Sequence, residues 1–251
     1  MGFFDLFKKE KKERVFSEPK DLEVTHTKKI SFEGLVANRT LVASITGYGK
    51  SYTIKKMIRE IKDMIPIIIF DLEGEYSGLG IERITEGSDP ETLAKKIISE
   101  KKSAVLDFST TDDADMQEFV GLFCEAFLDL ETSRKISYLL VFDEADEYVP
   151  EKGFNKSKCL NAIIKLVKKG RKRGIGMMFA TQRLTYLSKN VISQCVNIII
   201  GRTEWKSDVD VLRKYLGVEQ KEADELKKLK PGEFFLRGPI VDEKGFVKFR
   251  R

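Results

Sequence analysis

Along most of the chain, short apolar runs alternate with longer amphipathic stretches. The runs at 41–45, 67–70, 104–108, 138–142, 177–180 and 197–200 are rich in β-branched residues and apolar at nearly every position. Strands that are apolar on both faces are covered from both sides, as in a parallel sheet. Between them, residues 51–64, 90–100, 115–129 and 156–169 repeat their apolar positions at helical spacing. After Trp205 the pattern predicts helices over 208–216 and 220–229. Lys230-Pro231-Gly232 then breaks the helical region, and 233–237 and 246–249 read as two last strands. The pattern predicts one α/β domain with a mostly parallel central sheet and helices on both faces.

The first 14 residues stand outside this pattern. Phe3, Phe4, Leu6 and Phe7 lead into Lys8, Lys9, Lys11, Lys12 and Arg14, an apolar patch followed by a charge run. A solvated terminus is the favoured reading, and a short amphipathic helix on a membrane surface or a partner is the alternative. The sequence therefore divides into an apolar and basic arm over 1–35 and a folded domain over 36–251. Within 251 residues, no apolar run approaches the roughly 20 that a membrane span needs, and no small-residue cleavage site follows the arm. The net charge of +5 permits a polyanionic partner without demanding one, because acidic residues nearly balance the basic ones. Three scattered cysteines suit neither a disulfide set nor a zinc site and point to reduced thiols in the cytoplasm. His26 is the single histidine, which disfavours Ser-His and Cys-His catalysis.

The chemistry concentrates where strands end. Ser44-Ile45-Thr46-Gly47-Tyr48-Gly49-Lys50-Ser51 lies between the first apolar run and the first helical stretch. A glycine loop in that position turns its N–H groups toward a helix N-terminus and cradles phosphate. Lys50 supplies charge to the β- and γ-phosphates of ATP, and the Ser51 hydroxyl is placed to ligate Mg²⁺. Thr46, Gly47, Tyr48, Gly49, Lys50, Ser51 and Tyr52 are the candidate nucleotide-binding residues of this Walker A-like loop. It departs from G-x-x-x-x-G-K-[ST] at Ser44, where a glycine ordinarily relieves the strand-to-loop turn.

The run at 138–142 ends abruptly in Asp143-Glu144-Ala145-Asp146-Glu147. Ligands of open α/β sheets bind beyond the carboxyl ends of strands. Asp143 is thus placed to hold Mg²⁺, directly or through water, and Glu144 to orient the attacking water, as in a Walker B motif. Asp146 and Glu147 read as solvated charges at a helix start. A glutamate that positions water argues against a kinase, which activates a substrate hydroxyl instead. A third run ends in Thr181-Gln182-Arg183, and Gln182 at that tip is placed to reach a γ-phosphate or the lytic water.

These residues resemble the HerA/FtsK superfamily of DNA-translocating ATPases, with HerA-type helicases the nearer branch. The resemblance covers roughly residues 38 to 240. It rests on the loop 46–53, on Phe70-Asp71-Leu72-Glu73-Gly74-Glu75-Tyr76, and on Asp143 through Pro150. It rests also on Gly170-Arg171-Lys172-Arg173-Gly174, on 180–183 and on 190–195. The resemblance implies a RecA-like P-loop NTPase core of the ASCE type. It further implies a hexameric ring that hydrolyses ATP between subunits and pulls double-stranded DNA through its pore, with DNA-stimulated turnover. By that likeness Gln182 corresponds to the γ-phosphate sensor and Arg171 to a finger reaching the neighbouring subunit's ATP. The bland reading of the basic cluster around Arg171 is a helix end favoured by the dipole. The chain's size is similar to that of packaging ATPases of archaeal viruses, which points to a virus or plasmid origin and to a capsid protein or nuclease as partner. A second reading makes the chain a nucleotide-switched ATPase whose arm, through residues 3–14, docks to a protein or membrane.

Overall fold

A computed structural model describes residues 16–85, 87–130 and 137–250. In chain order its elements are α1 (Phe32–Val36), β1 (Arg39–Ala43), α2 (Lys50–Ile61), β2 (Ile67–Asp71), β3 (Glu82–Ile84) and α3 (Pro90–Glu100). There follow β4 (Ala104–Asp107), α4 (Asp113–Leu130), β5 (Tyr138–Phe142), α5 (Ala145–Tyr148), α6 (Leu160–Lys169) and β6 (Ile175–Thr181). The chain continues through α7 (Lys189–Ile192), β7 (Asn197–Ile200), α8 (Lys206–Leu216), α9 (Gln220–Leu226), β8 (Glu233–Arg237) and β9 (Gly245–Lys248). Among the described residues the strands form one sheet in the order β3-β4-β2-β5-β6-β1-β7-β8-β9. The pairs from β3 to β7 are parallel, and the pairs β7–β8 and β8–β9 are antiparallel.

The sheet explains why its strands are apolar throughout. Ile68, Phe70, Leu140 and Phe142 face a core closed by α3, α4, α6, α8 and α9, while Ile67, Ile69, Leu139 and Val141 face a second core under α1 and α2. Successive side chains point to opposite faces, so the inner strands, such as β2 and β5, feed both cores and leave no position for water. Register across the middle strands is fixed by rings: Phe70 stacks on Phe142 at 4.3 Å and Phe142 on Phe179 at 5.3 Å. Each pair is also a register partner in the sheet. Burying each ring contributes about 1.5–3 kcal/mol, and stacking roughly another 0.5–1.5. The consequence for the site is geometric. Asp71 and Asp143, one residue beyond Phe70 and Phe142, emerge side by side at the same edge.

Packed residues also lie on the N-terminal side of the expected boundary at 36. Leu22, Val24, Ile30 and Phe32 are buried in the second core, and Leu22 and Ile30 exchange backbone hydrogen bonds of 2.8 and 2.9 Å. The folded unit thus reaches back at least to Leu22, because apolar residues there complete the cover over β8 and β9. The patch at 3–14 lies outside the described residues. No helix among the described residues is long and apolar enough to cross a membrane. Cys124, Cys159 and Cys195 are buried free thiols. Burial pushes the Cys159 thiol up to about 11 and Cys195 to about 12, which keeps both protonated and unreactive.

Candidate active site

β1 delivers the chain into the loop 44–49, and α2 leaves it at Lys50. Gly47 (φ 80°) and Gly49 (φ 92°) take left-handed conformations that a side chain would strain. Gly49 is the N-cap of α2 and carries no side chain to satisfy the first-turn N–H groups. Those groups and the positive dipole end remain for an anion. Ser44, the departure from the usual motif, needs no glycine because its φ is not positive. The room it requires comes from the neighbouring strand: a Cβ on Gly201 would lie 2.5 Å from Ser44 Oγ and 2.9 Å from a Phe234 ring carbon. Gly201→Ala should therefore destabilise the fold by about 1–3 kcal/mol in denaturant unfolding. Ser44→Gly in the same chain should recover part of the loss, and an unchanged Gly201→Ala midpoint would remove this account of the loop.

Three strand tips meet at Lys50. The ammonium donates to Asp143 Oδ1 at 2.8 Å and to Glu144 Oε1 at 2.7 Å. Gln182 Nε2 donates to the same Glu144 oxygen at 2.8 Å, and the Thr46 hydroxyl donates to Gln182 Oε1. Because β6 lies between β1 and β5, Gln182 emerges between the phosphate loop and the acidic pair and touches both. Burial penalises the Lys50 ammonium, but Asp143 and Glu144 outweigh it and hold the lysine above its ordinary pKa. Burial also raises Asp143, and Lys50 offsets this only in part. Glu144 sits at φ 46°, a left-handed backbone uncommon for a residue with a side chain. Such positions persist only where the surroundings hold them, here the start of α5 and the bond to Lys50.

A cleft of about 470 Å³ opens over the loop, lined among others by Thr46, Lys50, Ser51, Tyr52, Glu144 and Gln182. Tyr48 turns its side chain away from the cleft: its hydroxyl accepts from Arg202 Nη1 at 3.0 Å, and its carbonyl accepts from Gly232 N–H at 3.1 Å. Arg171 is not brought to the cleft. It is exposed in a 3₁₀ turn, Gly170–Arg173, that precedes β6, at the opposite edge of the sheet from Gln182. Asp146 corrects the expectation of a solvated charge: it is half-buried and accepts from Thr181 Oγ1 at 2.6 Å, tying α5 to the end of β6. Sequence reasoning gave no role to Asp71 or Glu75. The buried Asp71 carboxylate accepts from the N–H groups of Glu75 and Tyr76 at 3.0 Å each, and the turn this builds brings Glu75 to the cleft. The signal was the Asp-x-x-Gly-Glu-Tyr run, whose Gly74 takes a left-handed turn (φ 69°) that folds the chain back over the aspartate.

Residues 23–88 match the family model described as "Helicase HerA, central domain". The "Probable helicase MJ1565" of Methanocaldococcus jannaschii is 26% identical over 114 residues, which cover 43% of this chain and 21% of that protein. The chain thus spans about a fifth of the length of this relative. Among solved structures, the genome packaging NTPase B204 of Sulfolobus turreted icosahedral virus 2, in complex with ATP-gammaS, superposes with a TM-score of 0.64 at 22% identity. That match covers 86% of this chain and 98% of the viral one. VirB4 of Thermoanaerobacter pseudethanolicus gives a TM-score of 0.62 at 14% identity, over 85% and 89% of the two chains. At these identities the structural likenesses speak for the fold, a RecA-like α/β domain. Together with the matched central-domain segment and the loop that precedes α2, they make the chain similar to P-loop ATPases of the HerA/FtsK type.

Proposed function

We propose that the chain hydrolyses ATP with Mg²⁺ and uses the energy to move double-stranded DNA through a ring of its own copies, a hexamer by family likeness. The observation that carries this reading is the meeting of Lys50, Asp143, Glu144 and Gln182, with the uncapped start of α2 beside them. A triphosphate fits that arrangement: the buried lysine lines the cleft while held by Asp143 and Glu144, and the space beside Gly47 is open. Ser51 and Asp143 are the residues to hold the metal, which supplies neutralisation of charge on the phosphate oxygens. Lys50 leaves the carboxylates to grip phosphate, which frees Glu144 to orient water. Gln182, bonded to both Glu144 and Thr46, is placed to register whether the γ-phosphate is present. Arg171, exposed at the far edge of the sheet, is the candidate to complete a neighbouring copy's site, since a head-to-tail ring would bring opposite edges together.

The test is ATP turnover measured with and without long duplex DNA, alongside particle size in solution. A translocating ring should turn over at least tenfold faster with long duplex and migrate as a multimer. A monomer whose rate ignores DNA would overturn the motor while leaving the ATPase standing.

A further inference from the structure

A groove of about 870 Å³ lies between the segment Pro150–Ser157 and the starts of α6 and α7. The expected helix over 156–169 does not begin until Leu160, so this segment is an irregular loop. Its lining is basic and amide-rich: Lys152, Lys156 and Lys189 with Asn155, Asn161 and Asn190. The three lysines differ. Lys189 is spent on the fold, its ammonium donating to the carbonyls of Thr185 at 2.9 Å and Leu187 at 3.2 Å. The one acid of the lining, Glu151, is likewise engaged, accepting from the Lys189 N–H at 2.6 Å. Lys152 and Lys156 are exposed, and no ion pair is recorded for either among the described residues.

A wall of planar groups borders the groove. Phe154 (52% exposed) packs on Tyr186 at 4.7 Å, Tyr186 on the Arg183 guanidinium at 4.8 Å, and Arg183 on Trp205 (56% exposed) at 4.7 Å. Arg183 is fixed there by buried Asp208, whose Oδ2 accepts from Nε at 3.1 Å. Separations this short leave no slot for an inserted base, so the wall does not read unpaired bases by intercalation. The charges that remain to be satisfied are two lysines, and they match a row of phosphates.

The groove is also strapped to the site. Arg183 follows Gln182 directly. The Glu151 N–H donates to Tyr186 O at 2.6 Å, and the Ser188 N–H to Val149 O at 2.9 Å. The same loop leaves α5, whose N-cap is Glu144. Gln182 and Glu144 are thus joined to Phe154 through short, hydrogen-bonded segments of chain.

Resting on the reading of the chain as a DNA-moving ATPase, we propose that this groove grips the phosphate backbone of duplex DNA, with Lys152 and Lys156 on phosphates and Phe154 as the edge that bears against the sugar. The contact is blind to sequence. The experiment compares wild type with Lys152→Glu/Lys156→Glu, with Phe154→Ala, and with a control of equal charge change on α3, Lys95→Glu/Lys96→Glu. Binding of a fluorescent random-sequence duplex is followed against salt, and ATP turnover is measured with and without that duplex. The groove variants should bind at least tenfold more weakly than wild type at low salt, with a shallower salt dependence for the double variant, and lose DNA stimulation at unchanged basal turnover. The α3 control should bind as wild type does. Groove variants that bind and respond like wild type overturn this assignment alone. Equal weakening by the α3 control also overturns it, in favour of general charge attraction. Displacement of the duplex by polyglutamate at equal charge concentration would point instead to an acidic protein partner. Wild type that neither binds duplex nor responds to it overturns the DNA reading as a whole, and this assignment with it.

Discussion

Lys50→Ala will cripple ATP turnover, lowering kcat by about 10²–10³-fold, the scale seen when a preorganised charge-stabilising group is removed. Lys50 is also the cation that faces the buried Asp143 and the adjacent Glu144. Deleting one partner of a buried pair leaves charge without compensation, at a cost of about 3–5 kcal/mol if the carboxylates stay ionised. Burial already raises the Asp143 carboxyl, and loss of the lysine raises it further. A folded pKa above the unfolded one gives stability that is present at low pH and lost as pH rises through the folded value. The variant should therefore lose most stability relative to wild type at pH 8 and recover part of it toward pH 5. Calorimetry across that range, together with steady-state turnover, checks both halves. Turnover within about threefold of wild type would dismiss the phosphate role of the loop. A pH-independent deficit would dismiss the electrostatic account of the trio.

Glu144→Gln separates binding from chemistry. The amide keeps the shape of the side chain and an oxygen to accept from Lys50 and Gln182, whose bonds to the carboxylate are 2.7 and 2.8 Å. The Lys50–Asp143 bond does not involve the changed group. What disappears is the charge that polarises water, and general-base groups of this kind contribute about 10²–10⁴-fold. Nucleotide affinity should stay within a few-fold of wild type while hydrolysis falls by roughly that factor, so that ATP accumulates unhydrolysed on the protein. Filter binding with labelled ATP and a phosphate-release assay give the two numbers. Intact phosphate release would move the water-orienting role elsewhere, with Glu75 the next acid on the cleft.

Much of the fold could be read from the chain because the strands it needs are buried on both sides. β2, β5 and β6 are uninterrupted apolar runs, and their alternate residues fill two separate cores. The elements that escaped are those without that signature. β3 is a mostly exposed edge strand, and α1, α5 and α7 are only one turn or so long, too short for helical periodicity to register. Residues 156–159 were read into the helix that follows them, although Ser157 favours a turn and α6 begins only at Leu160. At the site, Lys50, Asp143, Glu144 and Gln182 were legible because each follows an apolar run. Their meeting depends on β6 lying between β1 and β5, a strand order that no local pattern encodes. The Ser44 substitution was equally opaque from sequence. Its compensation is Gly201, far along the chain and adjacent only once β1 and β7 pair.

The central claim is that one triphosphate is shared by the tips of β1, β5 and β6. A crystal structure with a non-hydrolysable ATP analogue and Mg²⁺ tests it most directly. One nucleotide is expected over residues 46–51, with its terminal phosphate about 2.7–3.2 Å from Lys50 Nζ and Gln182 Nε2 and the metal between Ser51 and Asp143. A nucleotide bound elsewhere, or one bound while Lys50 stays on Asp143 and Glu144, would contradict it.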